Sequence, residues 1–205
     1  HKKAALAIVE SLREVLPPEN VSAVDVNDLA SPLYRFLYLK AYVFLMTRGR
    51  WLWGALYYLS NNRMIDLLTQ PVRSWLDHKS LPGLGKVIRE EAPSAIISTH
   101  FLLPSIAGRL KREGVTSRMF VVVTDYGPHS FWLSPDVDAF FVGAPGVKRE
   151  MELRGMRPER VIASGIPTDR VFGTNFDRGG ILSGNGLEEG RSTIFLMTGG
   201  FGVGP

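Results

Sequence analysis

Four short apolar runs alternating with helical patterns constrain this chain more than any other feature. Ala95-Ile-Ile-Ser-Thr99, Met119-Phe-Val-Val-Val-Thr124, Val137-Asp-Ala-Phe-Phe-Val142 and Val161-Ile-Ala-Ser164 read as strands. Residues 104–112 and 147–154 read as helices stopped by Gly114 and Gly155. Strands that are apolar throughout must be covered on both faces, and helices between them supply the cover. The expected fold is α/β, a Rossmann-like doubly wound parallel sheet, with ligands at the carboxyl ends of the strands. Leu6, Val9 and Leu12 recur at helical spacing, so a helix is predicted over 2–16, stopped by Pro17-Pro18, with a further strand at Val21–Val26.

Residues 31–76 interrupt the alternation with an all-helical insertion. No acidic residue lies between Asp28 and Asp66. Arg35, Lys40, Arg48, Arg50 and Arg63 are interleaved there with Tyr34, Phe36, Tyr38, Tyr42, Phe44, Trp51, Trp53, Tyr57 and Tyr58. Two readings fit. The aromatic residues pack on the sheet as core, or they form an interfacial anchor in which Trp and Tyr sit at headgroup depth and cations face anionic lipid. The absence of carboxylates favours the anchor, with Arg35, Tyr38, Lys40, Tyr42, Arg48, Arg50, Trp51 and Trp53 as its contacts. A formal charge of +4 agrees with an anionic partner. No run approaches the ~20 apolar residues that a membrane-crossing helix needs. With no cysteine, the 205 residues offer neither disulfide nor thiolate metal ligand.

Polar residues gather where the strands end. Thr99-His100 closes one strand; Thr124-Asp125 closes the next, and His129 and Trp132 follow in its loop. A lone strand-end histidine is usually a cap, but two successive strands ending this way point to a shared crevice. His1 opens the first helix and has two readings: a general base, because histidine titrates near neutrality, or a residue left from an appended tag. Residues 173–190 carry six glycines and read as a linker. Beyond it, Ser192-Thr-Ile-Phe-Leu-Met-Thr-Gly-Gly-Phe-Gly-Val-Gly-Pro205 reads as a buried strand entering a glycine-rich phosphate loop. The expected organisation is therefore a domain at 1–172, a linker at 173–191 and the start of a second domain at 192–205, with both ends read as boundaries of a cut or processed chain.

Taken in order, Thr124-Asp-Tyr-Gly-Pro-His-Ser-Phe-Trp132, Val137–Val142, Val147-Lys148, Arg154-Gly155 and Gly165-Ile-Pro167 resemble the monogalactosyldiacylglycerol synthase family and the bacterial diacylglycerol glucosyltransferases of glycosyltransferase family 28. His1-Lys-Lys-Ala-Ala, Trp51-Leu-Trp-Gly-Ala-Leu-Tyr57, Ile97-Ser-Thr-His100 and Gly199–Pro205 are similar to family segments as well. The resemblance implies a GT-B fold of two Rossmann-like lobes, this chain supplying the acceptor lobe and its helical, membrane-facing insertion. It implies transfer of galactose or glucose from a UDP-sugar to diacylglycerol, with no metal or other cofactor. His1 matches the family's acceptor-deprotonating histidine, and its tag reading recedes. His100, Asp125, His129 and Trp132 fall on the acceptor cleft; Gly199, Gly200, Phe201 and Gly202 match the donor loop. The expected partners are diacylglycerol, an anionic lipid surface and UDP-hexose, with no nucleic acid. The expected location is peripheral, on the cytoplasmic face of a bacterial membrane, with a plastid envelope as alternative. The chain by itself is expected to be inactive, and a non-catalytic lipid-binding module is the competing reading.

Overall fold

The apolar runs form a four-stranded, all-parallel sheet in the computed structural model, which describes residues 1–32, 36, 40–41, 44–45 and 48–196, without the side chains of Arg50, Arg63, Leu67 and His78. The strands are β1 (Ala95–Ser98), β2 (Arg118–Val123), β3 (Ala139–Val142) and β4 (Val161–Ala163), in spatial order β1-β2-β3-β4. Ile97 pairs with Phe120, Val122 with Phe141, and Phe141 with Ile162. In β2, Val121, Val122 and Val123 are all buried, as a strand covered on both faces requires.

The described helices are α1 (Lys2–Leu12), α2 (Val26–Leu29), α3 (Arg50–Ser60), α4 (Arg63–Ser80), α5 (Pro82–Glu91), α6 (Leu102–Arg112), α7 (Pro145–Leu153) and α8 (Arg178–Gly184). The main core joins Met119, Val121 and Val123 of β2 and Phe140 and Val142 of β3 to Ile106, Ala107 and Leu110 of α6 and Val147 and Met151 of α7. Gly114 and Gly155 follow α6 and α7 at φ 91° and 93°, the left-handed turn that stops a helix and that glycine adopts without a Cβ penalty. The parallel α/β class expected from the alternation is the one observed.

Four local expectations change. Val21–Val26 is not a strand: residues 21–25 pair with no strand among the described residues, although Val21 and Asp25 keep extended backbone, and Asp25 accepts from the N–H of Asn27 to cap α2, which takes Val26 as its first residue. The first helix ends at Leu12, four residues before the predicted stop. The glycine-rich stretch 173–190 contains α8, because Asp177 caps it through the N–H of Gly180. Residues 192–196 form no strand, and Ile194, Phe195 and Leu196 are exposed rather than buried; they pair with no neighbouring strand among the described residues.

The chain divides into two units, residues 1–169 and 170–205; the sheet belongs to the first and α8 to the second. Arg35, Tyr38, Tyr42, Gly199, Gly200, Phe201 and Gly202 lie outside the described residues, as does the side chain of Arg50.

Candidate active site

The carboxyl ends of β1 and β2 open into a cleft of about 480 Å³ lined by His1, His100, Phe101, Asp125, His129 and Trp132, and closed on one side by Trp53, Tyr57 and Ser60 of α3. A smaller crevice of about 160 Å³ lies at the opposite end of the strands, around Glu113 and Val115, and holds no histidine.

Residues just past two strand ends hold His1. The Thr99 hydroxyl donates to the His1 carbonyl at 3.1 Å, fixing the start of α1 over β1. His1 Nδ1 lies 2.5 Å from Thr124 Oγ1, just past the end of β2. Its ring meets that of His100 edge-on at 5.0 Å and stands 6.0 Å from Trp132. Trp132 is buried, and its Nε1–H donates to Asp125 Oδ2 at 2.9 Å, which orients the carboxylate.

Hydrogen bonds fix the tautomers of two of the three histidines. His129 Nδ1 accepts from the Phe131 N–H at 3.2 Å, so the proton sits on Nε2, which faces the Tyr57 carbonyl and Ser60 Oγ, each at 3.2 Å. His100 Nδ1 accepts from the Leu102 N–H at 3.3 Å. Burial pushes the His100 imidazole down to about 4. Burial also lowers His129, against the hydrogen bond to Tyr57 that favours its charged form. Both are therefore neutral near pH 7. His1 is the exposed member of the three. Of the cleft histidines, it alone is placed to exchange a proton with a ligand from the solvent side.

A joint fastens α3 to the cleft loop. Asn61 Oδ1 accepts from the Ser130 N–H at 3.0 Å and from Arg154 Nη1 at 2.7 Å, while the Ser130 hydroxyl donates to the Asn61 carbonyl. Arg154 is also paired with Glu150. On α4, Arg73 stacks over Phe131 at 3.9 Å and pairs with Asp66 at 2.7 Å.

The monogalactosyldiacylglycerol (MGDG) synthase family matches residues 1–168, the sheet and the whole cleft included. The chain belongs to this family. Among curated relatives, it is 25% identical over 203 residues to a processive diacylglycerol beta-glucosyltransferase of Bacillus cytotoxicus, covering 96% of this chain and 50% of that protein. Enzymes of the same name from Bacillus cereus and Bacillus anthracis are 24% identical with the same coverage. The chain thus spans about half the length of these relatives. No solved structure matches it.

Within this domain, His1, His100, Asp125, His129 and Trp132 share one cleft, although they come from segments up to 131 residues apart in the chain. Of the aromatic and basic residues singled out in the insertion, Trp53 faces the cleft, whereas Trp51 (77% exposed), Lys40 and Arg48 face outward. Phe36, Phe44 and Tyr58 are exposed as well, so they are not core. Sequence reading left out Ser60, Phe101 and Phe131 as cleft residues and Asn61, Arg73 and Arg154 as their supports. The spacing of Trp53, Tyr57 and Ser60 on one helix face was the available signal. Among the described residues, no group of three His, Asp or Glu is placed to hold a metal, and no helix is long and apolar enough to cross a membrane.

Proposed function

We propose that this chain is the acceptor-side domain of an enzyme that transfers a hexose from a UDP-sugar to diacylglycerol. The observation that carries the reading is the cleft itself. An exposed histidine, a fixed carboxylate and an aromatic wall meet at the ends of parallel strands, in a domain whose relatives are named diacylglycerol glucosyltransferases.

The arrangement suits direct displacement. In the tautomer whose Nδ1–H donates to Thr124 Oγ1, His1 keeps the Nε2 lone pair and takes the proton of the glycerol hydroxyl. The oxygen attacks the anomeric carbon as the bond to UDP breaks, and UDP leaves with the electron pair. Neutral His100 and the Asp125 carboxylate hold the hydroxyl in line, while Trp53, Tyr57, Phe101 and Phe131 give the glycerol and the first acyl carbons an apolar wall. His129 has both ring nitrogens engaged and is a support, not a base. The donor's diphosphate falls to the glycine-rich segment at Gly199–Gly202, and the exposed aromatic and basic residues of the insertion hold the domain to an anionic lipid surface, on the cytoplasmic face in a bacterium.

The test is incorporation of labelled hexose from UDP-glucose and UDP-galactose into diacylglycerol by the protein that contains this chain. Wild-type protein makes glycolipid, and His1→Ala loses at least about a hundredfold in kcat, as removal of a general base does. Equal rates remove His1 from the mechanism. Absence of glycolipid with either donor, while lipid binding persists, establishes the non-catalytic lipid-binding module instead.

A further inference from the structure

A cation lies behind the wall of the cleft, in a place where stability gives it no reason to be. The side chain of Arg73, on α4, is only 20% exposed and pairs at 2.7 Å with that of Asp66, 15% exposed. Its Nε–H is buried and meets no acceptor among the described residues. Taking an ion pair out of water is costly, and a pair left with an unmet N–H recovers less than two apolar side chains of the same volume would. A helix that had only to pack here would be served better by leucine and methionine.

What the guanidinium does cover is a ring. Its central carbon stands 3.9 Å from the centre of Phe131, which lines the cleft from the turn Ser130–Trp132. A planar cation holds an aromatic face by charge as well as by contact, which an aliphatic side chain cannot do. From Phe131 the rings continue inward: 5.8 Å to Phe101, 4.1 Å from Phe101 to His100 and 5.0 Å from His100 to His1, with His129 at 4.3 Å on the flank of Phe131. Arg73 thus stands at the outer end of a row of neighbouring rings whose inner end is the exposed histidine, although it does not itself line the cleft.

We infer that Arg73, held by Asp66, is a positioning residue of the acceptor cleft: it fixes the Phe131 ring, and with it the wall against which the acceptor's glycerol and first acyl carbons lie. The inference rests on the acceptor reading above and adds to it a residue on a helix that does not border the cavity.

Two variants separate the ring from stability. Asp66→Leu together with Arg73→Met removes both charges and keeps the volume; Arg73→Lys keeps a cation for Asp66 and gives up the planar face. Asp77→Asn, on the same helix but bonded to Ser105, is the control. In the protein that contains this chain, the double variant is expected to unfold at the same urea concentration as wild type or a higher one. Its KM for diacylglycerol in mixed micelles is expected to rise at least about fivefold while kcat stays within about twofold. Arg73→Lys falls between, and Asp77→Asn matches wild type. Fluorine NMR of para-fluorophenylalanine in place of Phe131 reads the ring without turnover: one line in wild type, displaced toward the free amino acid in the double variant. Should the double variant fail to fold, Arg73→Lys carries the same two readouts. Unchanged KM and an unchanged fluorine line in a folded variant overturn the positioning role. A rise in KM that Asp77→Asn shares overturns it too, because it marks a general loosening of α4. If wild-type protein makes no glycolipid, the acceptor reading falls and the fluorine line decides alone: displaced, Arg73 still positions the cleft wall; unmoved, it does not.

Discussion

His100 carries a pH dependence that its position makes explicit. Its folded-state pKa of about 4 lies below the ordinary 6.5, so the unfolded chain binds the proton first as pH falls. Stability from this residue is complete above about pH 6.5 and is lost between there and about pH 4, on the order of 3 kcal/mol. His129 acts in the same direction. Urea melts across this range are expected to show a steep loss that His100→Asn flattens, since asparagine still offers an acceptor to the Leu102 N–H and does not titrate. A second residue-scale expectation concerns Asp125. Asp125→Leu leaves the buried Trp132 indole N–H without its acceptor and costs about 1–3 kcal/mol by urea denaturation, whereas Asp125→Asn retains an acceptor and costs less. The sequence placed these side chains at strand ends correctly. It was silent on the partners of His129, because the Tyr57 carbonyl and Ser60 hydroxyl that face its Nε2–H lie about seventy residues earlier in the chain.

Helix boundaries were legible wherever glycine set them. Gly114 and Gly155 ended the expected helices because positive φ there admits little else, and Gly114→Ala is expected to lower stability by about 1 kcal/mol in a thermal melt. Legibility failed where a cap competed with propensity. Asp25 caps α2 and takes Val26 into it, and the extended residues before it find no partner strand among the described residues, an outcome that residue preference alone cannot reveal. The insertion read as helical and was so, but the inward turn of Asp66 and Asp77 on α4 depends on Arg73 and Ser105, and a one-dimensional pattern cannot show which face the sheet will take. The joint between α3 and the cleft loop belongs to this scale too. Asn61→Leu removes the acceptor shared by Ser130 and Arg154 and is expected to cost about 2 kcal/mol, while Asn61→Asp keeps the oxygen and restores most of it. Hydrogen exchange at α3 amides, faster in the leucine variant alone, checks that the loss is local.

At the scale of the molecule, family membership and parallel α/β architecture agree with what order and spacing of motifs indicated over residues 1–168. The cleft was legible as a cluster of strand ends, and its aromatic wall was not, because α3 reaches it from another part of the chain. If the domain is held to lipid partly by charge, binding to anionic vesicles weakens as salt rises from about 0.1 M to 1 M, where screening shortens from about 10 Å to 3 Å, and the contribution of the exposed aromatic residues of the insertion persists. Sedimentation across that range separates the two parts. One feature of α3 bears on how such a protein can vary. Trp53 and Tyr57 line the cleft from the same short rod whose Trp51 and Tyr58 point outward, and the rod is pinned at its end by Asn61. Tilting it narrows or widens the chamber. A change of outer contact that tilts the rod is expected to alter the width of the cleft, and a homologue adapted to a different surface is expected to carry compensating changes at Phe101 or Phe131 on the facing wall.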